Sequence, residues 1–272
     1  TDLRATHQRI LPSGARWGTQ AALQQRYTPS LQSVGSTQAE WQMDYTAAPF
    51  AQVRDAIEEG AGAKKTGWAP WASASIAALH SRSGTRYASH SLSLGVEHAA
   101  LGCAARWGID GQNRELRSNT ILSGRYLGGS LQWHCAPTPG GLQWLAVLRL
   151  GQDRAANPDR PGGHQNQAGL RLHANAPAPS LWRPAGSAGQ GGARWTIDAD
   201  YSRARDDHGY SALLDNGRVR RVERLTTRIE WQQPLLPGVQ AVIGAEAITQ
   251  NASLSLFQMR SHGIWIGLRG QW

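Results

Sequence analysis

The chain closes on His262-Gly263-Ile264-Trp265-Ile266-Gly267-Leu268-Arg269-Gly270-Gln271-Trp272, and the reading of this stretch decides the fold. Ile264, Ile266, Leu268, Gly270 and Trp272 occupy every second position, so in an extended segment they share one face; Trp265, Gly267, Arg269 and Gln271 take the other. One face is apolar and the other mostly polar.

The same period of two recurs along the chain. Leu142, Trp144, Ala146, Leu148 and Leu150 oppose Gln143, Arg149 and Gly151, while Ala168, Leu170, Leu172, Ala174 and Ala176 oppose Gln167, Arg171, His173 and Asn175. Trp195, Ile197, Ala199 and Tyr201 oppose Thr196, Asp198, Asp200 and Ser202. Thr227, Ile229 and Trp231 oppose Arg228, Glu230 and Gln232, and Trp17, Thr19, Ala21, Leu23 and Tyr27 oppose Arg16, Gln20, Gln24 and Arg26. Each reads as a strand with a wet and a dry side. The dry face often ends in Trp or Tyr, the placement of an aromatic girdle at a bilayer interface.

Composition agrees. The 272 residues include 31 Gly and 12 Trp against 2 Phe, with 17% charged residues, a profile of short strands, tight turns and interfacial indoles. No apolar run reaches about 18 residues, which excludes a helical span. The mean hydropathy of -0.46 suits a soluble protein and equally a barrel whose strands face a polar interior with every second residue. A soluble β-sandwich or barrel is the competing reading.

A terminal aromatic on an alternating strand resembles the C-terminal signal of bacterial outer-membrane β-barrels. The resemblance implies the outer membrane of a Gram-negative bacterium, outer-membrane lipid as surroundings, and the barrel assembly machinery as a partner that reads the strand ending in Trp272. The expected fold is all-β: residues 1–272 form one closed antiparallel transmembrane β-barrel of about 14 strands. If Ala51 to Glu59, with Val53, Ala56 and Ile57, is a helix, about 12 becomes the even number. Ala136 to Gly140 and Pro234 to Gly238 read as short periplasmic turns. Gln112 to Ser118, Arg154 to His164, Asp206 to Asn216 and Gln250 to Ser255 read as outer loops, and Gly-rich Ser180 to Gly192 as a mobile loop. The chain opens at Thr1 without a signal peptide, which points to a mature form or, as favoured by the weak first segment Asp2 to Leu11, the C-terminal part of a longer chain.

Gln250-Asn251-Ala252-Ser253-Leu254-Ser255-Leu256-Phe257, ahead of the closing strand, resembles the NxSNxxxF-like loop in the C-terminal barrels of tetratricopeptide-repeat outer-membrane proteins such as surface lipoprotein assembly modifiers, with Leu254 in place of the second Asn. The resemblance covers roughly the last fifth of the chain. It implies a translocation pore moving exported protein or polymer cargo from periplasm to cell surface. A passive porin or structural outer-membrane protein is the alternative, and a barrel enzyme acting on lipid or peptide the second.

The net charge of +9 invites a nucleic-acid reading, but the arginines alternate with apolar residues instead of clustering, so no nucleic-acid partner is expected. They read as pore-lining: Arg26, Arg106, Arg125, Arg149, Arg171, Arg228 and Arg269, interleaved with Glu40, Asp44, Glu97, Asp198, Asp200, Glu230 and Glu246. Opposite charges on neighbouring strands can pair. Such a ladder either fills a polar interior or makes a weakly cationic conduit that favours anionic cargo.

No catalytic residue is expected. In Ser89-His90-Ser91 the alternation sends His90 to the face of Leu92, Leu94 and Val96 and both serines to the other, out of a base's reach. Asp206-Asp207-His208 reads as a solvated loop. Two cysteines fall short of a zinc shell, and neither metal nor cofactor is expected. Cys103 and Cys135 share the apolar parity of their strands. A hairpin folded about Asn119 sets them opposite one another, either bridged in the oxidising periplasm or as two free thiols.

Overall fold

The computed structural model describes residues 2–26, 36–47, 67–81, 86–100, 102–136, 141–179, 192–211, 213, 217–236 and 239–270. They form β1 (Asp2–Ile10), β2 (Arg16–Arg26), β3 (Ser36–Thr46), β4 (Gly67–Ser81), β5 (Arg86–Ala100), β6 (Cys103–Leu116), β7 (Gly124–Cys135), β8 (Gln143–Ala155), β9 (Gln165–Pro177), β10 (Arg194–Gly209), β11 (Val219–Leu236), β12 (Val239–Ala252) and β13 (Met259–Gly270). A single 13-stranded sheet runs in chain order, with each neighbouring pair antiparallel. Among the described residues no helix is long and apolar enough to cross a membrane.

The register carries the alternation from strand to strand. Leu131 of β7 lies opposite Leu148 of β8, which lies opposite Leu170 of β9, which lies opposite Tyr201 of β10. Slipping one strand by one residue would move its apolar set to the polar face, so the pattern itself selects the pairing. The ladder breaks at two irregularities, between Arg205 and Gly209 and between Pro234 and Leu236, the second where proline has no N–H to donate.

The sheet is concave on its polar side. Arg16 of β2 pairs with Glu97 of β5, and Arg114 of β6 with Asp153 of β8. In a flat sheet β2 and β5 stand about 14 Å apart, beyond the combined reach of those side chains, so the strands between them must curl.

Among the described residues thirteen strands stand where about 14, or alternatively 12, are expected. Ala51 to Glu59, Ser180 to Gly191 and Trp272 lie outside the described residues. Several strands outrun their expected ends. β6 continues to Leu116, so the loop of Gln112 to Ser118 moves to residues 117–123 around a short 3-10 turn, Thr120–Leu122. β10 takes in Asp206, Asp207 and His208, β11 runs through Pro234 to Leu236, and β12 through Gln250 to Ala252. Beyond the apolar belt both faces are polar, so the period of two fades while the backbone ladder goes on.

Candidate functional site: the polar concave face

Directly opposed residues of an antiparallel pair share a face, so the register assigns every strand position to one side. Glu40 and Asp44 (β3), Glu97 (β5), Arg106 (β6), Arg149 (β8), Arg171 (β9), Asp198 and Asp200 (β10), Arg228 and Glu230 (β11), Glu246 (β12) and Arg269 (β13) all fall on the concave face. Arg26, the last residue of β2, is in register with Ser36. Arg125 departs from the expected set. It stands opposite Asn113 and Arg154 and shares the parity of Leu127, Leu131 and Trp133, which puts it on the outward, apolar face near one end of β7.

Four buried carboxylates organise the concave face. Glu97, 4% exposed, takes Arg16 and Arg106, and Arg106 also donates to Thr46 Oγ1 at 3.2 Å and lies 5.5 Å over the Trp71 ring. Asp153, 2% exposed, takes Arg114 and, at 2.6 Å, Arg160. Asp206 receives Arg220 through two nitrogens at 2.9 and 3.1 Å and Gln165 at 3.0 Å. Glu230 receives Arg228 at 2.7 Å, Arg269 at 3.0 Å and Gln232 at 2.7 Å. More open pairs are Arg171 with Asp200 at 3.0 Å and His173 with Asp198 at 2.7 Å. Arg16, Arg114, Asp153, Arg160, Asp206 and Arg220 are absent from the sequence-based set. Most sit near strand ends, where the alternation no longer announces a face.

A polar cavity of about 350 Å³ lies within this face, lined from β3 to β8 by Glu40, Gln42, Asp44, Ser73, Ser75, Ser91, Ser93, Asp110, Tyr126 and Arg149 among others. Asp44 accepts from Gln42 Nε2 at 3.0 and 2.9 Å, and the Ser75 and Ser91 hydroxyls meet at 2.7 Å. Asp110 Oδ2 and Trp71 Nε1 are buried there without hydrogen-bond partners. The Trp71 ring crosses to β6 because residue 108 is glycine; a Cβ there would sit 2.6 Å from Trp71 Cζ2.

The charges of this face nearly balance. At the described strand positions its acids, Glu40, Asp44, Glu97, Asp110, Asp153, Asp198, Asp200, Asp206, Glu230 and Glu246, are matched by Arg16, Arg106, Arg114, Arg149, Arg171, Arg194, Arg220, Arg224, Arg228 and Arg269, and Arg160, reaching Asp153 from beyond β8, adds one positive charge. Of the two sequence readings, a plain polar filling and a weakly cationic conduit, the described side chains fit the first better, because they are close to neutral in sum.

The outward face is apolar through the middle of the sheet and open to its surroundings. Leu94, Ile109, Leu150 and Ile264 are 52, 67, 54 and 81% exposed. Toward the rim where β13 ends it carries indoles. Trp68 stacks on Trp107 at 5.3 Å and tilts against His98 at 4.7 Å, and Trp133 meets Trp144 at 5.6 Å. At that rim Cys103 and Cys135, opposite in register, are joined by a disulfide.

Ser89 is buried on the concave face, and His90 takes the opposite one. Asp206-Asp207-His208 is strand and not loop, with Asp206 held by Arg220, because the β9–β10 and β10–β11 ladders extend past the apolar belt. Among the described residues no group of three His, Cys, Asp or Glu side chains is placed to hold a metal ion.

No family model and no curated protein matches the chain. A solved structure from work on the in-meso crystallization of membrane proteins is similar to it at a TM-score of 0.38 and 13% identity, covering 93% of this chain and 82% of that one, a likeness too low to carry an argument.

Proposed function

We propose that this chain crosses an outer membrane as a closed β-barrel and serves as the translocation pore of an export system, passing protein or polymer cargo from periplasm to cell surface. The observation that carries the membrane reading is the segregation of the faces. A continuous apolar face, exposed from β2 to β13 and rimmed by indoles, is far larger than the few hundred Å² that a soluble monomer leaves in water, and lipid is the medium that covers such a face. Closure follows from the same medium, since an open sheet edge leaves backbone groups unsatisfied in hydrocarbon. Ile264, Ile266 and Leu268, exposed in series along β13, support recognition of that strand by the assembly machinery. The polar concave face with its cavity supports a conduit for polar cargo, and the Gln250–Phe257 resemblance supports export.

The alternative, a structural or passive barrel, is favoured by the ion pairs that tie most of the concave charges to one another. Planar-bilayer recordings separate a conduit from a purely structural barrel. The export reading expects stepwise conductance, with a reversal potential near zero in a salt gradient because the lining is close to neutral. Bilayers that hold inserted protein yet stay silent would contradict a conduit and leave the structural barrel.

A further inference from the structure

With the concave face nearly balanced, the excess positive charge falls largely on the outward face, and it gathers at the rim opposite the indoles. Arg125 of β7 lies directly opposite Arg154 of β8, and Arg205 of β10 directly opposite Arg221 of β11. All four are exposed. Like charges set opposite one another repel and weaken a sheet pair. Neighbouring carboxylates do not relieve them. Among the described residues no acid lies within salt-bridge distance of these arginines; Glu223 is engaged by Arg203 at 3.5 Å, Glu115 accepts from Asn113 at 3.5 Å, and Asp207, two residues from Arg205 on the same face, accepts from Asn166 at 3.4 Å. The one side-chain bond to the four is neutral, from Arg154 Nε to Gln152 Oε1 at 3.1 Å.

We propose that these two arginine pairs form a docking surface for the phosphate groups of membrane lipids, resting on the reading that the outward face meets lipid. Two guanidiniums side by side present forked donors to a single phosphate, which turns the repulsion into a charge-assisted clamp. Continuity singles out a lipid over free phosphate. Beneath the first pair lie Leu127 beside Gln152 and then Leu150; beneath the second the Arg203–Glu223 ion pair comes first and Tyr201 and Leu225 follow, so the apolar belt begins within two rungs of each pair and one amphiphile meets both its headgroup and its chain sites. The opposite rim offers indoles at the corresponding level, so the two ends of the sheet address different lipid surfaces.

The test uses the whole chain, first inserted into phosphatidylcholine vesicles, then transferred to a neutral detergent for native mass spectrometry with added phosphatidic acid or phosphatidylcholine of the same acyl chains. The wild type should retain phosphatidic acid at least about tenfold more strongly. R125Q/R154Q and R205Q/R221Q should each lose most of that preference while inserting as the wild type does, and the single variant R125Q serves if a double variant fails to insert. Equal retention of both lipids by the wild type, or an undiminished preference in the variants that insert, overturns the docking surface with the membrane reading intact. Failure of the wild type to insert would overturn both, and is seen before any lipid is counted.

Discussion

At Glu97 a single carboxylate, almost wholly buried, holds guanidiniums from β2 and β6, and through Arg106 ties Thr46 and Trp71 to the same point. Removing the acid strands one half-buried arginine, while Arg16, 56% exposed, regains water. Breaking a buried pair costs several kcal/mol and an exposed one very little. Glu97→Gln is therefore expected to lower stability by about 2–3 kcal/mol, read as a shift of the urea midpoint in vesicles; a shift under about 0.5 kcal/mol would mean that the cluster is held elsewhere. Cys103 and Cys135 are tested on their own terms. Protein assembled natively should offer no alkylatable thiol until it is reduced, and two free thiols beforehand would contradict the bridge.

At the scale of the strand, the side facing lipid should decide tolerance. Leu148 is central on the outward face of β8, between Leu131 and Leu170, and Val147 points to the concave side between Gln132 and Arg171. Leu148→Arg should cost about 2–4 kcal/mol when folded into lipid, and Val147→Thr far less. Equal costs would contradict the face assignment. Strand centres were legible in the sequence because the apolar period of two is strongest where one face is uniformly dry. Strand ends were not: in β6, β10 and β12 both faces turn polar while the hydrogen-bond ladder persists, so Asp206 reads as loop and is in fact a buried anchor. Arg125 was within reach of the sequence, since counting back by twos from Trp133 through Leu131 and Leu127 lands on it. The ion pairs between β2 and β5, β6 and β8, and β11 and β13 were out of reach, because they depend on how tightly the sheet curls and not on spacing along any strand.

For the molecule as a whole, the ordering of charge is the main lesson of the structure. A chain of net charge +9 puts nearly balanced charges on its concave face and leaves unpaired arginines on the outward rim, so its basic character belongs to the outward face more than to the concave one. The 13 strands also constrain closure. β1 and β13 run in the same direction, so a seam made by those two alone is parallel, and an antiparallel seam needs one more strand between them. Either seam leaves the central claim the same, that lipid covers the outward face. Nitroxide labels placed one at a time from Gln143 to Asp153, with the disulfide intact and the protein in lipid vesicles, test it most directly. Oxygen accessibility should peak at positions 144, 146, 148 and 150, and accessibility to a water-soluble nickel complex at the positions between them. Two profiles in phase, or flat ones, would contradict it.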